Sequence, residues 1–300
     1  MKTKTYLFAL MAMAFTLGSC SDNENGIGSE TSKYITVSTS IGNMTRVATD
    51  ANGGQTFEEG DEISVYAWTG APTVAPETSE RVVNNAINKL TNGSWISTPQ
   101  MLWKNNREKH YFIGVYPTAA ISDLSAGEYT FDANKQTESD LLVAVNPDGL
   151  SYSADAQQTV PLTFTHVMAK LAVNLTYKNQ WGGIPTVEKV VVGNAAKEAT
   201  INYLTKVVTP STTAKEDFSL PEITENTKYV SVIIPQEEVK QLTIVIGGKN
   251  FVYDNGTPFK LESGKITTVN LEVGRDEIKL GDVKITDWED GSTFSGEAIN

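Results

Sequence analysis

Cysteine is almost missing from this 300-residue chain: it occurs once, at Cys20, so no intrachain disulfide and no thiolate metal cluster can form. Histidine occurs only at His110 and His166, which removes histidine metal clusters and leaves little for nucleophile-histidine-acid catalysis. Positive charge is also short. Against 36 Asp and Glu stand 24 Lys and Arg, a net charge of −12 whose field repels phosphate and argues against a nucleic-acid partner. Long apolar runs are lacking: the longest, residues 6–17, falls short of the roughly 20 residues that a membrane-crossing helix needs. Helical periodicity is scarce as well. What is present is apolar enough for a folded protein, with 40% hydrophobic and 20% charged residues. No cofactor or metal is expected from this inventory.

The N-terminus reads as an export signal. Lys2 and Lys4 precede the apolar run, and Gly18 and Ser19 follow it. The sequence Leu17-Gly18-Ser19-Cys20 resembles a bacterial lipobox, in which the signal is cut before the cysteine and the thiol receives a diacylglyceryl group. Cys20 is therefore the expected lipidation site, with residues 1–19 as signal peptide. Acyl chains contribute about 0.8 kcal/mol per buried CH₂, enough for lasting attachment to a membrane. Residues 20–32 are polar and read as a lipidated flexible tether. Ser21-Asp22-Asn23-Glu24 also resembles the surface-export tag of some Gram-negative lipoproteins.

The body alternates with period two. In residues 167–177 every odd position is apolar while Lys170, Asn174 and Thr176 lie on the other face, the pattern of a half-buried strand. Shorter signals of the same kind occur at 35–41, 63–68, 111–116, 141–145, 187–192, 229–234, 242–246, 269–273 and 283–285. Turn residues separate them, including Asn92-Gly93, Asp148-Gly149, Gly182-Gly183 and Gly247-Gly248. Many short strands predict an all-β fold of sandwiches. A polar stretch at 151–158 suggests a boundary, giving an N-terminal β-sandwich over 33–155 and a C-terminal one over 156–300. Residues 195–206 are the one helical candidate of note, and 81–90 are ambiguous.

The chemistry-bearing residues read mainly as structural. His110 opens a strand after a charged loop, and His166 heads the long strand with no second ligand near it in sequence. Glu58, Glu59 and Asp61 read as a solvated acidic loop. So does Asp132 with Asn134, because the glycine and acid that a calcium loop needs are replaced by Thr137 and Val143. Five tryptophans and eleven tyrosines offer stacking faces for sugar rings as well as core packing, and no catalytic residue can be nominated.

Several pieces, in their order and spacing, resemble the fimbrillin family of type V pilus lipoproteins. They are the lipobox at Cys20, the first strand followed by Thr45-Arg46, and Phe57-Glu58-Glu59-Gly60-Asp61-Glu62-Ile63-Ser64-Val65-Tyr66. Met101-Leu102-Trp103 then leads to Tyr111-Phe112-Ile113-Gly114-Val115-Tyr116-Pro117. Asp140-Leu141-Leu142-Val143-Ala144, Leu162-Thr163-Phe164-Thr165-His166-Val167 and Val283-Lys284-Ile285-Thr286-Asp287-Trp288 complete the set. Lys104 departs from the pattern, where many relatives have proline. The resemblance implies two tandem transthyretin-like β-sandwiches and a structural subunit of cell-surface fimbriae that supports adhesion, with no enzymatic activity. It implies an outer-membrane lipoprotein whose partners are other pilus subunits, the membrane through its lipid, and a ligand on a host or bacterial surface. Arg46 matches the family's proteolytic maturation position, after which a strand from a neighbouring subunit fills the groove left by the lost first strand. The donor strand is then sought at Val283 and Ile285, a segment that can equally complete its own domain. Stalk, anchor and tip roles remain open, as does the alternative of a non-polymerising surface lipoprotein that binds carbohydrate through exposed aromatics.

Overall fold

The computed structural model describes residues 33–42, 56–153 and 158–288. In chain order the strands are β1 (Thr36–Ile41), β2 (Glu62–Thr69), β3 (Val83–Thr91), β4 (Ser94–Thr98), β5 (His110–Tyr116), β6 (Gly127–Thr130), β7 (Leu142–Leu150), β8 (Thr159–His166), β9 (Ala169–Tyr177) and β10 (Val187–Ala196). They continue as β11 (Glu198–Asn202), β12 (Val207–Pro210), β13 (Lys215–Ser219), β14 (Glu222–Thr224), β15 (Lys228–Ile233), β16 (Gln236–Ile246), β17 (Lys249–Leu261), β18 (Lys265–Val273) and β19 (Ile278–Asp287). Only two short 3₁₀ turns interrupt them, so the described chain is all-β as the alternation predicts.

The first sheet has seven strands in the order β1-β8-β7-β5-β2-β3-β4. Its central strands are buried on both faces. Along β2, Ile63, Val65 and Ala67 enter one core with Phe112, Leu142, Val160, Leu162 and Phe164, while Tyr66 and Trp68 enter a second with Ile113, Val115 and Val143. The side chain of Gly114 is missing for a packing reason, since a Cβ there would come 2.6 Å from the Phe164 ring. Ser64 and Tyr66 fasten the cover of the second face: Ala119 N–H donates to Ser64 Oγ (3.0 Å) and Ile121 N–H to the Tyr66 hydroxyl (2.9 Å).

The second half builds a five-stranded sheet, β14-β15-β9-β18-β19, and a four-stranded sheet, β13-β10-β16-β17, whose facing apolar residues share one core. That core is rich in β-branched side chains such as Val173, Val190, Val192, Ile244 and Val269, which suit a pleated buried surface. A small sheet, β12-β11-β6, joins the halves by pairing β6 with β11. β8 belongs to the first sheet, antiparallel to β7 and parallel to β1.

Two segments differ from their sequence reading. Residues 195–206 hold the end of β10, then β11 and a turn rather than a helix; Ala199 and Ile201 point into the core on alternate residues, which the neighbouring alanines disguise. Residues 83–91 are β3, where Asn85 adopts a positive φ of 56° and interrupts the alternation.

Candidate functional site

β1 is the element on which strand exchange would act. Val37 of β1 and Ile35 just before it are buried in the core that holds Met101, Trp103, Val160, Leu162 and Phe164, while Ser38 and Ser40 face outward. On the outer face, hydroxyls pair across the parallel register: Thr36 with Thr159 (3.2 Å) and Ser40 with Thr163 (3.1 Å). Just before β1, Ile35 N–H donates to the Met101 carbonyl (3.0 Å) and Trp103 N–H to the Lys33 carbonyl (3.1 Å). From the opposite end of the sheet, Trp95 Nε1–H donates to Thr39 Oγ1 (3.0 Å), so the sheet curls until its first and last strands meet.

β1 therefore closes the first core without being central to it. Loss of this six-residue strand would uncover an apolar groove beside the unpaired backbone edge of β8, a template for another extended chain. At the end of β1, Ile41 lines a cleft of about 690 Å³ with Phe57, Tyr116, Asp61, Asp140 and Lys170.

The sequence-derived residues fall as follows. Cys20 and Arg46 lie outside the described residues. Val283 and Ile285 lie on β19, the edge strand of the five-stranded sheet, opposite Val269 and Thr267 of β18 in the same chain, and both are exposed. His166 Nδ1 is 2.8 Å from Asp140 Oδ1, and the His166 ring stacks on Trp288. His110 is buried; its Nε2 accepts from Lys104 N–H (3.1 Å), and burial pushes its imidazole below the usual histidine range.

The acidic loops cap backbone. Glu59 accepts from Asn92 N–H (2.5 Å), Asp61 from Glu58 N–H (2.7 Å), and Asp132 from Asn134 N–H (3.0 Å). Among the described residues no cluster of three or more acidic, histidine or cysteine side chains could hold a metal ion. Trp68, Trp103 and Trp288 are buried, and Trp95 and Trp181 are half-buried against Phe57 and Phe251.

Sequence reading did not single out β8, the strand that pairs with β1. The signal was available, since Val160, Leu162 and Phe164 alternate with Pro161 and Thr163. It also missed Asp140 and Trp288 as neighbours of His166, and Lys170 over the face of Trp288, which only the tertiary fold brings together.

No curated protein sequence matches this chain. Solved structures resemble it in fold. A protein of Bacteroides uniformis assigned to cell adhesion aligns with a TM-score of 0.62 at 16% identity, covering 86% of this chain and 100% of that one. One from Bacteroides ovatus, similarly assigned, gives 0.61 at 17%, covering 85% and 98%. A fimbrial protein of Bacteroides vulgatus gives 0.51 at 13%, covering 84% and 99%. The sequence model of one family, described as fimbrillin-like, matches residues 45–288. The chain belongs to the fimbrillin-like family.

Proposed function

We propose that this protein is a structural subunit of cell-surface pili, made as a lipoprotein and assembled by exchange of its first strand for a strand of a neighbouring subunit. Membership of the fimbrillin-like family supports a pilus or adhesion role and a structural rather than an enzymatic protein. The observation that carries the finer reading is β1: an edge strand, parallel to β8, whose inward Val37, with Ile35 just before the strand, fills a groove that another alternating strand could fill. On this reading Cys20 is acylated and holds the precursor at the outer membrane. A cut after Arg46 then separates lipid, tether and β1 from the body together. On the same reading the body is two tandem transthyretin-like sandwiches, expected over 33–155 and 156–300. Val283 and Ile285 supply alternate apolar side chains for a donor strand. The partners are other pilus subunits and a surface ligand.

The carbohydrate-binding alternative has weaker support, because all five tryptophans are buried or half-buried. The test is digestion of lipid-free protein with an Arg-specific protease, comparing wild type, Arg46→Ala, a chain ending at Lys279, and Val283→Asp/Ile285→Asp. The last variant changes only exposed side chains and so keeps the fold. Ladders resistant to mild detergent are expected from cut wild type alone. Equal behaviour of all four proteins would reject assembly by strand exchange.

A further inference from the structure

β19 carries a stripe that its own fold leaves uncovered. In the pairing with β18, Leu280, Val283 and Ile285 stand opposite Leu271, Val269 and Thr267, all three buried. The three side chains of β19 therefore lie on the core-facing side of the sheet, yet they are 36%, 36% and 41% exposed. The bulge at Gly281, which shifts the register between Asp282 and Leu280, keeps Leu280 on the same face as Val283. The opposite face carries Lys279, Asp282 and Lys284. Asp282 accepts from Asn270 Nδ2 (2.6 Å) and lies 3.5 Å from the Lys284 ammonium.

The outer edge of β19 pairs with no strand among the described residues. We propose that this edge binds the same edge of a second copy of the chain, antiparallel about a two-fold axis through Val283. The side-chain order is self-complementary in that register. Val283 meets Val283, Asp282 meets Lys284 twice, and beyond the bulge Leu280 meets Ile285 twice. Each apolar side chain thus faces an apolar one, and each central charge faces its opposite.

Other registers lose this match. A one-residue slip turns the apolar stripe of one copy against the charged face of the other. Parallel pairing of the same two edges needs a two-fold along the strands, which turns the apolar stripe of one copy onto the opposite face of the joined sheet from that of the other. Charge also selects the site. The whole chain carries −12 and repels its copies, whereas β19 holds two lysines and two aspartates and is locally neutral. Such a contact closes on itself, so it yields a dimer of five-stranded sheets and not a filament. It requires β19 paired with β18 in its own chain, and so concerns the chain before that strand is donated rather than the assembled pilus. One shared strand edge is smaller than a standard interface of about 1,600 Å², so the dimer is transient and concentration-dependent.

The test uses the full chain carrying Cys20→Ala, which leaves no other cysteine. Sedimentation over a concentration series should show a monomer–dimer equilibrium. Asp282→Lys or Lys284→Asp alone turns two attractive pairs into two repulsive ones and should weaken association at least about tenfold. An equimolar mixture of these two variants, or the double exchange in one chain, should restore it. Because both residues are exposed, neither change threatens the fold. Val283→Cys should give a covalent dimer under mild oxidation much faster than Ser94→Cys, a control on β4. If the mixture stays monomeric, if the two cysteines crosslink at equal rates, or if the chain dimerises only after residues 289–300 are removed, the proposal is wrong.

Discussion

The rings of His166 and Trp288 stack face to face, with centroids 4.0 Å apart and planes within 7° of parallel. Lys170 places its ammonium 4.0 Å from the centre of the same tryptophan, and Asp140 holds His166 from the other side of the imidazole. Trp288 N–H donates to the Gly264 carbonyl (3.0 Å) in the turn between β17 and β18, so the end of β19 is fastened to that turn by its backbone and to the end of β8 by the ring stack. A strand whose remaining side chains are mostly exposed depends on such an anchor.

Removing Trp288 should release β19 before it affects the rest of the fold. Trp288→Ala takes away a side chain only 5% exposed and should cost about 3 kcal/mol, with faster amide exchange concentrated in β19. His166→Gln should cost about 1 kcal/mol, the scale of one buried hydrogen bond, and leave assembly intact. Lost assembly at unchanged melting temperature would instead give His166 a direct role.

His110 supplies a pH dependence of known sign. Its imidazole is held below the usual range by burial first of all, and its Nε2 is occupied as acceptor from Lys104 N–H. In the unfolded chain the ring titrates near ~6.5. Its neutral form therefore contributes stability that is fully present above that value and is lost as the pH falls below it toward the lower folded value. Melting temperature should drop between pH 7 and pH 5, and His110→Phe should flatten that part of the profile. An identical slope in both proteins would assign the acid sensitivity to other groups.

How far the sequence could be read depends on which partners an element meets. β9 was legible because one face is apolar throughout, and β1 because Val37, with Ile35 just before the strand, alternates with hydroxyl residues. β2 shows a continuous buried run, since both faces of its sheet are covered, so alternation alone understates its burial. The parallel pairing of β1 with β8, and of β9 with β18, has no local signature, because the partners are far apart in the chain. His166 looked isolated for the same reason: Asp140 reaches it through the pairing of β7 with β8, and Trp288 from the far end of the chain.

Lipid attachment at Cys20 is the expectation that Leu17-Gly18-Ser19-Cys20 raises, and it has a direct test. Cys20→Ala should move the protein from the membrane fraction to the soluble fraction, and mass spectrometry of the wild type should find acyl chains on the N-terminal peptide. A variant that still pellets, beside a wild type without acyl mass, would rule the anchor out.

The replaceability of β1 can be tested without any pilus. β1 and the residue before it contribute two buried side chains, Val37 and Ile35, and one row of backbone hydrogen bonds, and the rest of the first core is built by strands that stay in place. After a cut at Arg46, brief mild denaturant should therefore strip off the fragment that carries β1 while the remaining sheet survives. Adding a peptide of residues 33–42 should then raise the melting temperature in a concentration-dependent way, as expected for a ligand that binds only the folded groove. The same peptide with Ile35→Ala and Val37→Ala keeps every backbone group but removes the side chains that fill the groove. It should bind at least about a hundredfold more weakly, since each buried truncation costs about 2 kcal/mol or more. If both peptides rescue equally, backbone pairing alone defines the groove and alternate apolar residues in the donor are unnecessary. If neither rescues, β1 is integral to the first core and cannot be exchanged.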